Sequence, residues 1–385
     1  MTQTIKTPAF VIDENILRQD IALLRKIADE ASCKLLYSPK ACSISSVLEI
    51  VSGHVDGFGC SSLFEVTLVD QICGGDTPIH LVSPLLKEDT LRTIGDRLDY
   101  VTMNSLSQWS RLRGKISSLT QPGLRVNPQL SFLNDRRYDP CRPNSKLGTP
   151  IDKLAEMVNR DDELLQGIKG LHFHTNCDAT EFASLLATVR HIQDLIPKFL
   201  ERLTWVNMGG GYLFNEVNNY SDFFQAVEIF REMFGLVVFI EPGASVVRSA
   251  GIIEATVHDL FESGDAKVAI LDATVNHMSE VFEFQFEPDV LGYSKGGSHP
   301  YILAGCTCLA GDIFGEYTFD APLDVGSKVK FLNMGAYTIS KAHRFNGVGL
   351  PTIYMRRSNG AVQLLKEDTF DDFAGTSGVI HSAVV

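Results

Sequence analysis

Eight short apolar runs, each followed by a stretch long enough for an amphipathic helix, set the tightest limit on how this chain can fold. They fall at residues 34–39, 57–61, 79–83, 100–104, 123–127, 170–175, 203–208 and 236–240. Strand followed by helix, eight times over, predicts a closed (β/α)8 barrel of parallel strands. In that fold the groups that act on a ligand stand at the C-terminal ends of the strands. Here those ends carry Lys40, Cys60-Ser61-Ser62, Asn104-Ser105, Arg125 with Asn127, His172 and His174, Gly209-Gly210-Gly211 and Glu241-Pro242-Gly243. Some of these are ordinary turn residues, but so many polar and reactive groups on one rim predict an active site there.

Two segments lie outside the eight units. At the start, residues 9–13 read as a strand, and residues 14–31 place Ile16, Leu17, Ile21, Leu24 and Ile27 at helical spacing. From about Gly251 the pattern changes to short β-like runs at 252–257, 267–271, 300–303 and 328–332, separated by Gly, Pro and Asp. With 385 residues, 44% of them hydrophobic, the chain is longer than one compact domain needs. Two domains are expected: a barrel over 30–250, and a β-rich domain made of 1–29 and 251–385 that the opening strand would join.

A formal charge of -13 argues against a nucleic-acid partner, which demands a basic surface. It favours encounter with a small cation, although solubility alone also accounts for it. No apolar run has membrane-spanning length and the N-terminus lacks the apolar core of a signal peptide, so a cytoplasmic protein is expected. The eight cysteines, at 33, 42, 60, 73, 141, 177, 306 and 308, show no paired spacing of the zinc-ribbon kind. Reduced thiols and no metal site are expected, since no second pair completes Cys306-Thr307-Cys308.

Several residues admit two readings. Lys40 either closes a strand at the surface or is an amine at the barrel mouth able to form a Schiff base. Gly209-Gly210-Gly211 is either a tight turn or a run of backbone N–H groups converging on a phosphate. Glu241 either ends a strand or pairs with a protonated ring nitrogen. His172 and His174, two residues apart, would share one face of a strand, and with no third ligand in view they suit stacking or hydrogen bonding better than metal. Beyond the barrel, a thiol of Cys306-Thr307-Cys308 could donate a proton to a carbanion and Tyr337 could bind a phosphate.

Further motifs stand in the same order along the chain: Lys40-Ala41-Cys42, Ser61-Ser62-Leu63-Phe64-Glu65, Gly123-Leu124-Arg125-Val126-Asn127-Pro128, Asp139-Pro140-Cys141 with Lys146-Leu147-Gly148, Leu171-His172-Phe173-His174, Val206-Asn207-Met208-Gly209-Gly210-Gly211, Glu241-Pro242-Gly243, Cys306 to Asp312, and Phe345-Asn346-Gly347. Through them the chain resembles the pyridoxal-phosphate decarboxylases of the alanine-racemase-like fold, and most closely the carboxynorspermidine/carboxyspermidine decarboxylases of bacterial polyamine synthesis. The resemblance implies that Lys40 carries the cofactor, that His174 stacks on its ring, and that Glu241 pairs with the ring nitrogen. It further implies that Gly209, Gly210, Gly211, Gly243 and Tyr337 belong to the cofactor site and that Arg125 lies beside it. Cys308 would return the proton after carbon dioxide leaves, reaching the site from a partner subunit, which makes a homodimer with shared active sites the expected assembly.

The same resemblance leaves the substrate open. Where the family usually reads Glu-Pro-Gly-Glu this chain has Ala244, where it reads His-Met-x-Asp this chain has His277-Met278-Ser279-Glu280, and Lys146 stands where Arg is usual. Asp272, His277, Glu280 and Asp312 remain as candidates to hold a cationic amino-acid or polyamine substrate. A paralogue acting on another scaffold with a 3-amino-3-carboxypropyl group, or on a basic amino acid, is the alternative. Racemisation needs bases on both faces of the substrate carbon, and one-sided Cys308 argues against it. A cofactor carrier would not need the second domain.

Overall fold

The computed structural model describes residues 4–378. Residues Asp20–Val246 form one compact unit, and those up to Gln19 together with those from Val247 onward form another.

In the first unit the parallel strands are β2 (Lys34–Tyr37), β3 (Gly57–Cys60), β4 (Ile79–Val82), β5 (Tyr100–Met103), β6 (Gln121–Asn127), β8 (Gly170–His172), β9 (Trp205–Asn207) and β10 (Val237–Ile240). Each pairs with the next in that order, and β10 pairs back onto β2, closing an eight-stranded barrel. A two-residue strand β7 (Thr149–Pro150) adds to the end of β6 and returns the chain after a long loop. Strands covered on both faces read as continuous apolar runs rather than alternating ones, which is why the eight runs stand out in the sequence. Leu35, Leu36 and Tyr37 of β2 are all fully buried.

Among the strands that stop short of the predicted limits, β2 ends at Tyr37, β8 at His172 and β9 at Asn207, whereas β10 ends at Ile240 as expected. Lys40, the three glycines and Glu241 stand on the loops that follow, and so does His174, so that His172 and His174 do not share a strand face as expected.

The barrel floor is aromatic. The His80 ring stacks on Tyr100 with centroids 3.9 Å apart, and Trp205 and Phe239 meet it edge-on at 5.7 and 4.4 Å. Trp205 fits only because its neighbours lack side chains: a Cβ on Gly170 would lie 1.9 Å from its indole Cε2, and one on Gly123 would lie 2.4 Å from its Cη2. Gly170→Ala is expected to cost about 2–3 kcal/mol by overpacking, read as a lower urea midpoint. A midpoint equal to wild type would show that Trp205 has room to turn.

In the second unit one sheet runs β14 (Ile313–Phe319), β13 (His299–Ala304), β12 (Ala266–Leu271), β11 (Gly251–Ser263), β1 (Ala9–Asp13), β16 (Thr352–Arg356), β17 (Val362–Lys366), with β15 (Lys328–Phe331) also on β11. The opening strand β1 lies between β11, antiparallel, and β16, parallel. Among the described residues no helix is long and apolar enough to cross a membrane.

Candidate active site

Two loops at one end of the barrel bring the lysine and the acid together. The Ser38 N–H donates to Pro242 O at 3.3 Å, and the Ala41 N–H turns back to Ser38 O at 3.1 Å. Gly243 permits this approach, since a Cβ there would meet that of Ala41 at 3.0 Å. Lys40 and Glu241 consequently line the same cavity, of about 430 Å3, with Arg125, His172 and His174.

Glu241 is buried and its oxygens are treated differently. Asn207 Nδ2 donates to Oε1 at 2.8 Å, whereas His172 Nε2 stands 3.7 Å from Oε2. A Cβ on Gly59 would lie 2.9 Å from Oε1, so only glycine leaves space for the carboxylate. Burial alone would push this carboxyl up, but the His172 ring and the Lys40 ammonium outweigh it and hold it well below the ordinary carboxylate range. Burial pulls His172 down. The neutral ring then directs Nε2–H at Glu241, and His172 Nδ1 is left buried with no partner among the described residues.

The glycine loop is built by close backbone contact. A Cβ on Gly209 would lie 2.5 Å from Phe173 O, one on Gly210 2.2 Å from Glu241 O, and one on Gly211 1.9 Å from Asn176 O. Gly209 and Gly211 also take φ of +69° and +93°. The three N–H groups do not converge on one ligand, however. Gly209 N–H donates to Asn207 Oδ1 at 2.9 Å and Gly210 N–H to His174 Nδ1 at 3.1 Å. Of the three, only that of Gly211 has no protein acceptor among the described residues. The Gly210 bond also fixes the His174 tautomer, with its proton on Nε2, and burial, then the Lys40 and Arg125 charges, hold that ring neutral.

The cavity wall opposite is the loop 128–148, which contributes Arg137, Asp139, Arg142 and Lys146. Asn104 fastens it: Nδ2 donates to Lys146 O at 2.9 Å and Oδ1 accepts from Gly148 N–H at 3.0 Å. Asp139 is buried, accepting from Ser131 Oγ and, at 2.8 Å, from Cys141 N–H. With Lys40 and Arg125, the lining holds five cationic side chains against the two acids Asp139 and Glu241, a setting for an anionic ligand. Arg137, Arg142 and Asn207 were not among the residues singled out from sequence. Asn207 carries a readable signal, a fully buried amide inside an otherwise apolar strand; the two arginines sit in a loop whose course no periodicity reports.

The other candidates belong to the second unit. Asp312 is buried with both oxygens occupied, Oδ1 by Val275 N–H at 2.8 Å and Oδ2 by Thr307 N–H at 2.9 Å and Thr307 Oγ1 at 2.5 Å, so it builds a turn rather than offering an open anchor. Asp272 accepts from Thr256 N–H at 2.8 Å and Thr7 Oγ1 at 2.6 Å, and His258 Nε2 stands 3.5 Å away. Glu280 is 3.0 Å from Lys341 Nζ, which also meets Glu283 at 2.7 Å. His277 is buried, its Nε2 3.0 Å from Gly349 O, and burial pulls it to about 4. Tyr337 takes the left-handed φ of +58° just before the short helix Thr338–Lys341. Cys308 is exposed and touches Asn346.

Residues 14–248 match the family model for the pyridoxal binding domain of pyridoxal-dependent decarboxylases. The chain is 30% identical to a carboxynorspermidine/carboxyspermidine decarboxylase of Herminiimonas arsenicoxydans, over 97% of this chain and 99% of that one. It is 31% identical to a carboxyaminopropylagmatine decarboxylase of Synechocystis, over 97% of this chain and 96% of that one. Among solved structures, carboxynorspermidine decarboxylase of Campylobacter jejuni, complexed with norspermidine, superposes with a TM-score of 0.87 at 29% identity, covering 97% of this chain and all of that one.

Proposed function

The chain belongs to the pyridoxal-dependent decarboxylases, whose cofactor is pyridoxal phosphate, and from that membership we propose that it removes the α-carboxylate of carboxynorspermidine or carboxyspermidine. The observation that carries the chemistry is the meeting of Lys40, His174, Arg125 and Glu241 on one cavity. The polyamine substrate rests on the relatives matched over nearly the full chain. A second reading, the carboxyaminopropyl derivative of agmatine, is favoured by the Synechocystis relative, 31% identical against 30% for the carboxynorspermidine/carboxyspermidine one. A product assay separates them: purified enzyme with carboxynorspermidine, carboxyspermidine, carboxyaminopropylagmatine, lysine, ornithine and diaminopimelate, with amine and carbon dioxide followed by mass spectrometry. Preference of at least about 100-fold in kcat/KM for a carboxy-polyamine is expected. Equal turnover of lysine or ornithine would end the polyamine reading.

The residues present suit the cofactor. Lys40 supplies the amine, Glu241 a carboxylate kept ionised, and Gly211 a backbone N–H with no acceptor among the described residues at a position closed to any Cβ. Pyridoxal phosphate, when bound, supplies a sink for the electron pair left behind as carbon dioxide departs. Glu241, held by Asn207 at Oε1, would pair with the cofactor's ring nitrogen and favour its protonated form. His174, neutral and tied to Gly210, offers an uncharged ring face and does not compete for that charge. The cationic lining draws in a phosphate and a substrate carboxylate. Lys40 would also exchange its place for the substrate amine.

In this reading the Cys308 thiol hands its proton to the reacting carbon and belongs to the second copy of a homodimer, with Tyr337 on the phosphate. The enzyme is assigned to the cytoplasm, where its eight cysteines, all free here, stay reduced. Asp272 and Glu280, although partnered within their own unit, remain the carboxylates we assign to the distal cationic end of the substrate.

A further inference from the structure

We propose that Asn346 is a positioning residue for Cys308, fixing the thiol's direction and keeping its proton on sulfur. The inference rests on the reading of Cys308 as the proton donor. Cys308 sits on the turn between β13 and β14, and the turn up to that residue is held rigidly. Asp312 takes hydrogen bonds from Val275 N–H, Thr307 N–H and Thr307 Oγ1, and Cys306 N–H donates to Ala273 O at 3.1 Å. Gly305 leaves no slack, since a Cβ there would lie 2.1 Å from Asp312 Oδ1.

Only the next residue carries the thiol, and a single atom from elsewhere in the unit addresses it twice. Asn346 Oδ1 accepts from Cys308 N–H at 3.2 Å and stands 3.2 Å from Cys308 Sγ. An amide oxygen has no hydrogen to give, so in this contact the sulfur is the donor and its proton lies between the two atoms. Asn346 reaches the position from a left-handed backbone, φ +56°, beside Gly347 at +71°. Asn is among the few residues with a side chain that accept such a φ readily.

Two consequences follow. The sulfur, as donor in this contact, presents its proton to Oδ1, and S–H is the form a proton donor must hold before it acts. The contact also restricts the thiol to one direction, so that transfer of the proton breaks the S–H bond, leaves the thiolate and releases the contact with Oδ1.

Because the thiolate is the reacting form, the rate of alkylation reports the state of the sulfur without any turnover. The holoenzyme, with Asn346→Ala and Asn346→Asp, is treated with iodoacetamide at fixed pH, and modification of Cys308 is followed by peptide mass spectrometry to separate it from Cys306. Asn346→Ala is expected to react about threefold to tenfold faster, and Asn346→Asp at least about threefold slower, because a carboxylate in the same place opposes the thiolate. Loosening of the turn would speed both variants. Acceleration of both, rates within twofold of wild type for both, or a wild-type Cys308 that is not alkylated at all would each overturn the assignment. The proton-donor reading is tested apart from it: Cys308→Ala that forms amine at the wild-type rate ends that reading, whatever the alkylation rates show.

Discussion

Lys40→Ala should lower turnover by at least about 1,000-fold, because it removes the cavity-lining amine, beside Glu241 and His174, that we assign to covalent attachment of the carbonyl cofactor. The expected spectrum of the purified variant lacks the visible band of a lysine-bound cofactor and returns to that of free pyridoxal phosphate after dialysis. Retention of the band would mean that another amine, such as Lys146 on the same cavity, does the binding. The variant also tests the assembly. Lys40→Ala and Cys308→Ala, each inactive alone, should recover about a quarter of wild-type activity when mixed, since half of randomly formed dimers carry one intact site of two. No recovery after verified subunit exchange would place thiol and lysine in the same subunit.

Glu241→Gln is the second large effect, with kcat expected to fall about 100-fold to 1,000-fold while the folded chain and its cofactor band persist. The amide keeps the size of the carboxylate and its bond to Asn207 but cannot balance a protonated ring nitrogen. The wild-type pH profile should be governed elsewhere. Glu241 is ionised and His174 neutral across about pH 6–8, since the first titrates below the ordinary carboxylate range and the second well below the ordinary imidazole one. Cofactor affinity is therefore expected to be flat over that window. A sigmoidal loss towards pH 6 would show that His174 protonates there, contrary to its burial and its contact with Gly210 N–H.

Both predictions concern residues legible in the sequence, because a barrel leaves a local record of itself. Each parallel strand is covered on both faces, so eight apolar runs mark the strands, and the residue following each run falls on the rim whatever the rest of the chain does. Lys40 and Glu241, each directly after a run, and Arg125 and His174, each inside the C-terminal part of one, were found in this way, and they line one cavity. The contacts of Asn207 and His172 with Glu241, and the bonds that Gly209 and Gly210 N–H make to Asn207 and His174, were not, because each depends on side chains and loops meeting in three dimensions.

The sequence by itself determined the number and order of barrel strands, the family, the cofactor and the places of Lys40 and Glu241 on the rim, since these follow from periodicity and from motifs only a few residues long. Tertiary structure alone decided which polar groups remain available. Gly209 and Gly210 N–H are taken by Asn207 and His174, Asp312 is consumed by its own turn, and the rim cations of 128–148 are set by Asn104, 42 residues from the Lys146 carbonyl it holds. A buried hydrogen-bonding group must find a partner in three dimensions, and no local pattern records which partner it finds.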